Sequence, residues 1–341
     1  MKILVDILTP KQLVFFEPLI KKLNKKHQVL CTSRDYSQVT NLAKLRKLKI
    51  VVVGKHGGLK KENKLLANLE RMNLLFPIIQ KFNPELTISF CSPDASRISF
   101  GLGIKHVGFS DSPHATAVMK LSIPLLQKLF IPWIIPKKEF VKYGIDKKNI
   151  ISYKAIDAAI TLERKSKNQK ISLKKNNKKN ILIRMEESEA SYYSKSQKSI
   201  LVIEKIIEQF KEENIIILGR YSDQIIELKK LFGNKIHILN MYYDGKYLLE
   251  KSDVFIGSGG TMTAESALLV IPTISLNSSP NIIENYLVKT KIITRESNPN
   301  KIVKIIKKIF EKPDLQSKIK AKKLLDSMEN PHQKLIKIFN L

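Results

Sequence analysis

VFIGSGGTMTAESALLVIP, residues 254–272, reads as a buried strand that stops in a glycine turn and opens at once into a helix. That is the geometry that receives phosphate. The first N–H groups of a helix have no partner within it and carry a partial positive charge, so an anion is stabilised there. Gly257 ends the strand, and Gly259 and Gly260 let an anionic ligand come close to the backbone. Ser258, Thr261 and Thr263 offer hydroxyl donors, and Glu265 follows about one turn into the helix, within reach of a polar group attached to the phosphate, such as a ribose diol. The expected ligand is a nucleotide, and more narrowly a nucleotide sugar. The simpler alternative is a structural turn in which Ser258 or Thr261 caps the helix. Such a cap needs one hydroxyl, not two glycines and a carboxylate together. The stretch is neither G-x-G-x-x-G nor a Walker lysine loop, which weakens the dinucleotide and triphosphate readings.

Outward from this segment, short apolar runs alternate with helical patterns. NILIRM (180–185), NIIIL (214–218), KIHIL (235–239), DVFIG (253–257), PTISL (272–276) and KIIT (291–294) are strand-like, with helices expected near 195–211, 221–231, 261–270 and 281–288. Lysine-rich helices close the chain at about 299–311 and 314–340. The first half has the same rhythm: KILVDIL (2–8), QVLCTS (28–33), KIVVV (49–53), LTISF (86–90), KHVGF (105–109), KLFIPWII (128–135) and IISYK (150–154), with helical spacing at 15–25, 35–47 and 60–82. Alternation of this kind implies parallel sheets covered on both faces. Between the halves, RKSKNQKISLKKNNKKN (164–180) is too polar to pack a core and reads as a linker. The expected fold class is α/β, with two doubly wound Rossmann-like domains facing a central cleft. Its parts are 1–160, a lysine-rich linker at 161–179, a nucleotide-binding domain at 180–312 and C-terminal helices at 313–341. Ligands of such sheets bind at the carboxyl ends of the strands.

The formal charge is +29, from 60 basic and 31 acidic residues. The excess is lysine spread along the chain, with eight arginines, no zinc-finger or RNA-recognition signature and no interleaving of basic and aromatic residues. A solvated lysine surface therefore explains the charge better than a nucleic-acid site. No apolar run reaches the length of a membrane span and no signal peptide is evident, so a cytoplasmic location is expected, with contact at the inner membrane face as an option. Cys31 and Cys91 lack metal-ligand spacing and read as reduced core residues.

Other candidate groups follow the strands of the first half. FSDSPHA (109–115) places Asp111 and His114 after KHVGF, where a histidine beside a carboxylate makes an oriented base; an ordinary Asx turn is the alternative. GKHGG (54–58) brings His56 to the same edge. In the second half Arg184 and Glu186 follow a strand, the arginine suited to clamping a diphosphate and the carboxylate to placing it or the base. Asp94 reads as a helix-start charge. No Asp-x-Asp pair or His/Cys cluster suggests a metal. LSIPLLQKLFIPWIIPKK (121–138) is the most apolar stretch and could rest on a membrane beside a lipid-linked acceptor, or simply be a buried strand.

SGGTMTAE (258–265) resembles the segment with which GT-B glycosyltransferases and UDP-N-acetylglucosamine 2-epimerases hold a UDP diphosphate and ribose. The spacing from Ser258 to Glu265 is similar to that of the transferase completing lipid II, whereas the epimerases carry the glutamate one residue earlier, at Ala264 here. Over nearly its full length the chain also resembles an archaeal family, domain of unknown function 354. Asp6 with Pro10, FFEPLIKKL (15–23), SRDY (33–36), GKHGG (54–58), SPDASRISFGLGI (92–104), FSDSPHA (109–115) and RMEESEASYY (184–193) carry that likeness. The resemblance implies a metal-independent enzyme with no tightly bound cofactor, taking a UDP-sugar as substrate and transferring the sugar to an unknown acceptor. Epimerisation at C2, with His56, Asp111, His114 and Glu186 as the available acids and bases, is the second reading. A non-catalytic nucleotide-sugar-binding or basic surface-binding protein is the third. One departure stands out: Gln12 occupies a position where the family likeness leads one to expect a histidine.

Overall fold

Every apolar run between two helical patterns becomes a parallel strand in the computed structural model. The structure describes residues 1–58, 60–167, 178–185, 193–219, 222–239, 243–276, 280–312 and 314–341, with 193–198 and 222–223 as backbone only. By its internal contacts the chain divides into two units, Met1–Arg164 with Met328–Leu341, and Lys165–Ser327.

The first unit runs β1 (Lys2–Ile7), α1 (Pro10–Leu23), β2 (Gln28–Asp35), α2 (Ser37–Arg46), β3 (Val51–Lys55), α3 (Lys61–Phe82), β4 (Leu86–Ser89), α4 (Pro93–Gly101), β5 (Lys105–Phe109), α5 (Thr116–Ser122), β6 (Lys128–Pro132), α6 (Lys138–Val141), β7 (Ile150–Tyr153) and α7 (Asp157–Leu162). Its sheet has the order β3-β2-β1-β4-β5-β6-β7. The second unit runs β8 (Asn180–Arg184), α8 (Tyr193–Gln209), β9 (Asn214–Leu218), α9 (Ser222–Phe232), β10 (His237–Leu239), α10 (Gly245–Glu250), β11 (Val254–Gly257), α11 (Thr261–Leu268), β12 (Thr273–Ser275), α12 (Ile282–Lys289), β13 (Thr294–Arg295), α13 (Pro299–Glu311) and α14 (Leu315–Asp326), with the order β10-β9-β8-β11-β12-β13. All the pairings are parallel. Strand order reverses between β1 and β4 in one sheet and between β8 and β11 in the other. Those are the switch points where a doubly wound sheet opens a crevice at its carboxyl edge.

The last helix, α15 (Pro331–Phe339), belongs to the first unit. Its His332 packs edge-on against Phe15 at 4.7 Å between ring centroids, in a core that also holds Phe16, Phe109 and Phe130. Burial drives the His332 imidazole down to about 3, so it sits there neutral. The single helix expected over 314–340 is thus two, because Asn330 caps a new start through His332 N–H (2.8 Å) and Pro331 stands at its first turn. α1 likewise begins five residues before the apolar periodicity suggests, with Thr9 as its cap and Pro10 at its first position. The strand expected at 291–294 shortens to Thr294–Arg295. In the apolar stretch 121–138, Leu129, Phe130 and Ile131 are fully buried in β6, between β5 and β7, so the core accounts for its hydrophobicity. Among the described residues no helix is long and apolar enough to cross a membrane.

A buried ionic network ties the elements around the first switch point together. Arg71 of α3, 1% exposed, places Nη2 at 2.6 Å from Asp6 Oδ1 in β1 and Nη1 at 2.5 Å from Asp94 Oδ2 in α4. Its Nε donates to the Val53 carbonyl at 3.1 Å, and Thr32 Oγ1 donates to Asp6 at 2.7 Å. Burial alone would raise the Asp6 carboxyl, but Arg71 and these hydrogen bonds hold it below the ordinary carboxylate value. Asp94 is therefore part of the framework, as its place at a helix start suggested.

Candidate functional site

In the second unit the glycine loop has little conformational choice. A Cβ at Gly257 would lie 2.7 Å from the Phe255 ring and 2.8 Å from Thr263 Oγ1, so only glycine lets β11 turn this tightly into α11. Gly259 (φ 89°) and Gly260 (φ 81°) both lie in the left-handed half of backbone space. With ψ at −169°, Gly260 occupies a region that is essentially glycine's own. Thr263 donates its hydroxyl to the Gly259 carbonyl at 2.9 Å, so this side chain folds the loop back on the helix and acts on a ligand only by positioning.

α11 starts at Thr261 without a side-chain cap. The capping role considered for Ser258 or Thr261 is therefore not the one they play, and the first-turn N–H groups remain for water or a ligand. Ser258 Oγ is buried and has no hydrogen-bond partner among the described residues. Beyond it a Cβ on Gly260 would meet nothing within 4 Å. An orphan hydroxyl, an uncapped helix start and open space above Gly260 thus lie together at the end of β11. The β8–β11 register, which pairs Ile183 with Ile256, brings Arg184 and Gly257 to the ends of adjacent strands. The Arg184 guanidinium lies 3.7 Å from Met262 Sδ in the first turn of α11, so a cation stands beside the loop. Glu265, 4% exposed, is on the same helix one turn further in. Gly257, Ser258, Gly259, Gly260, Thr261, Thr263, Glu265 and Arg184 thus gather at one switch point, while Glu186 lies outside the described residues.

The first unit assembles a second array that the sequence reading only touched. Lys11, in the first turn of α1, places Nζ 2.5 Å from Asp111 Oδ2 and 2.7 Å from Asp157 Oδ2. The Tyr153 hydroxyl donates to the other oxygen of Asp157 at 2.5 Å, and the Lys11 ammonium also lies 5.1 Å from the centre of the Phe90 ring. Burial, and then the neighbouring Asp111, push Asp157 up to about 6 against the pull of Lys11. Burial would raise Asp111 too, but Lys11 and hydrogen bonds from Ser112 and Asp157 hold it below the usual carboxylate range. Tyr153 is pushed up by burial and by Asp157, which keeps it a donor. The side chains of Asp157 and Asp111 are 2% and 18% exposed, so Asp111 is the more accessible carboxylate and Asp157 the buried one behind it.

That array can be tested by pH. A carboxyl whose folded value is raised stabilises the fold at low pH and loses that contribution as pH rises through about 6. Asp157→Asn removes the titration, so its melting temperature relative to wild type should rise between pH 5 and pH 7; a constant offset would contradict the assignment.

The other expected groups lie apart from these. His114 is exposed, and the Asp111 carboxylate is engaged by Lys11 and Ser112 instead. His56 stacks on Tyr36 at 5.2 Å and accepts the Gly58 N–H at Nδ1 (3.0 Å), at the β2–β3 end of the sheet. Burial, then Arg34 and Lys64, depress it from the ordinary imidazole value. Gln12 is part of a helix cap: its N–H donates to Thr9 Oγ1 (3.4 Å) while its own Oε1 accepts from Leu8 N–H (2.6 Å). Lys11, Tyr153 and Asp157 went unnamed at the sequence level, although each ends or follows a strand, which is the signal that could have found them.

The model of the family described as "Protein of unknown function (DUF354)" matches residues 1–338. An uncharacterized protein of Methanocaldococcus jannaschii is 27% identical over 317 residues, 89% of each chain. Among solved structures, UDP-GlcNAc 2-epimerase from Neisseria meningitidis bound to UDP-GlcNAc is similar with a TM-score of 0.74 and 17% identity, covering 99% of both chains. The spinosyn forosaminyltransferase is similar with a TM-score of 0.65 and 15% identity, covering 100% of this chain and 98% of that one. Two parallel α/β sheets with these neighbours make the fold GT-B-like.

Proposed function

The chain belongs to the DUF354 family of proteins of unknown function, and from that premise we propose that it is a glycosyltransferase taking a nucleotide sugar, a UDP-sugar, as donor. The observation that carries the reading is the uncapped start of α11, with its orphan Ser258 hydroxyl and the Arg184 guanidinium beside it. Cleavage of the bond between sugar and diphosphate leaves negative charge on the departing diphosphate. Helix N–H groups and an arginine fixed in advance stabilise that charge without reorganising as it forms. Glu265 lies one turn along α11, suited to a ribose hydroxyl. In the first unit Asp111 is the partly exposed carboxylate that takes the proton of an acceptor hydroxyl, with Lys11 holding it and Asp157 behind it as reservoir.

A second reading, epimerisation of the sugar by elimination and re-addition of UDP, is favoured by that same array. It offers an ionised carboxylate and, below about pH 6, a protonated one at a single edge, which proton removal and return both require.

UDP and UDP-sugars should raise the melting temperature, by roughly 5–10 °C at a hundred times Kd, with adenine nucleotides giving less. No shift by any nucleotide at millimolar concentration would remove the proposal. Deuterium entering the sugar from solvent without any acceptor would select the epimerase reading over transfer.

A further inference from the structure

α14 buries a single residue, Ala321, and leaves Leu315 and Ile319 exposed to 66% and 49%. At 100° per residue these two side chains share one face with Lys322 and Lys323, while Lys318 and Lys320 flank that face. An apolar centre edged by lysines is an arrangement that water does not reward. Behind the helix lies a groove of about 270 Å³, walled by Ile292, Ile305 and Ile309 and rimmed by Lys308, Lys312 and Lys318. Two further lining residues, Val270 (φ 68°) and Lys291 (φ 64°), hold left-handed backbone conformations without being glycine. Each closes a helix, α11 and α12 in turn, through backbone bonds such as Ile271 N–H to the Ser266 carbonyl (3.1 Å) and Ile292 N–H to the Leu287 carbonyl (3.3 Å).

We infer that the outward face of α14 is a docking site for the surface of a bilayer containing acidic phospholipid. The helix lies in the interface with Leu315 and Ile319 at the acyl boundary, and the lysines meet lipid phosphates. Charge complementarity selects this occupant. The described cations of the patch are all lysines, strongly hydrated point charges spread along a helix, which suit a diffuse anionic surface better than one phosphate ion. A nucleic acid would have no use for exposed Leu315 and Ile319, and α14 presents no aromatic ring for a base to stack on. The groove opens at the amino edge of the second sheet, beside the starts of β12 and β13. The glycine loop is at the carboxyl edge, so the inference does not depend on the proposed nucleotide site.

The full chain would be sedimented with vesicles of phosphatidylcholine, with and without phosphatidylglycerol, at low and high salt. Binding is expected to require phosphatidylglycerol and to fall with salt. Lys318→Gln/Lys322→Gln/Lys323→Gln should weaken it on the order of a hundredfold, and Leu315→Ser/Ile319→Ser about tenfold or more, with both variants melting within about 2 °C of wild type. Equal binding to neutral vesicles, absence of binding, or full retention by the Leu315→Ser/Ile319→Ser variant would overturn the inference. So would duplex DNA binding that the lysine variant abolishes and the apolar variant leaves intact.

Discussion

Arg71→Ala will destabilise the first unit by about 3–5 kcal/mol and lower its melting temperature by roughly 6–20 °C. The alanine leaves Asp6 and Asp94 buried without their cation, and it removes the largest fully buried side chain among the described residues. Most of the cost is the desolvation of two unpaired carboxylates held out of water rather than the worth of the ion pair itself. The triple variant Asp6→Asn/Arg71→Met/Asp94→Asn, which keeps most of the volume, should recover a large part of the loss because no unpaired charge remains. The sign with pH also follows. Asp6 is held below the ordinary 3.8 in the folded wild type, so its contribution is present above that value and fades as pH falls. In Arg71→Ala that support is gone and both carboxyls are driven toward the neutral form, so the gap to wild type should narrow from pH 7 to pH 5. A melting temperature within about 2 °C of wild type at neutral pH would show that the network carries little. The consequence reaches function, because Asp6 lies in β1 and Asp94 at the start of α4, and these elements bound the first switch point.

Gly260→Val will abolish the stabilisation by UDP-sugars while the second unit stays folded. Gly260 combines φ 81° with ψ −169°, which a valine can reach only at a cost on the order of 1–3 kcal/mol, so the loop must rearrange. The space above it is open, which means the damage comes from the changed loop path and from a side chain standing where an anion would approach. Glu265→Ala tests a different contact, with the nucleoside instead of the diphosphate. Losing a charge-assisted hydrogen bond there should weaken UDP and uridine alike, by about tenfold or more. Arg184→Met should weaken UDP far more than uridine. Thermal shift and calorimetry with UDP, UMP and uridine separate these patterns. Retention of the full UDP shift by Gly260→Val would place the nucleotide somewhere else.

The glycine loop was legible in the sequence because everything it needs is local: an apolar strand, two glycines and a helix start lie within a dozen residues. Twelve of the thirteen strands were legible for a related reason, since strands of a parallel sheet covered on both faces read as short continuous apolar runs. The thirteenth was marked three residues early, where Ile292 and Ile293 are buried ahead of the strand instead of within it. The array in the first unit was not legible, because Lys11, Asp111, Tyr153 and Asp157 are spread along the chain and meet only when β1, β5 and β7 end at one edge. Asp111 and His114 show the converse. They are near neighbours in sequence, yet Lys11 takes the carboxylate and the histidine is exposed. Arg71 reads as one more charge on an amphipathic helix and is instead the ion around which that side of the first unit is organised.

By itself the sequence determined the alternation of strands and helices, the two parallel sheets and the loop suited to a phosphate, because hydrophobic period and glycine placement are properties of neighbouring residues. Only the tertiary structure decided which charges are paired, which carboxylate is pushed up by burial and that α15 completes the first unit's core. Burial and the distance between charges set those properties, and both arise from residues far apart in the chain.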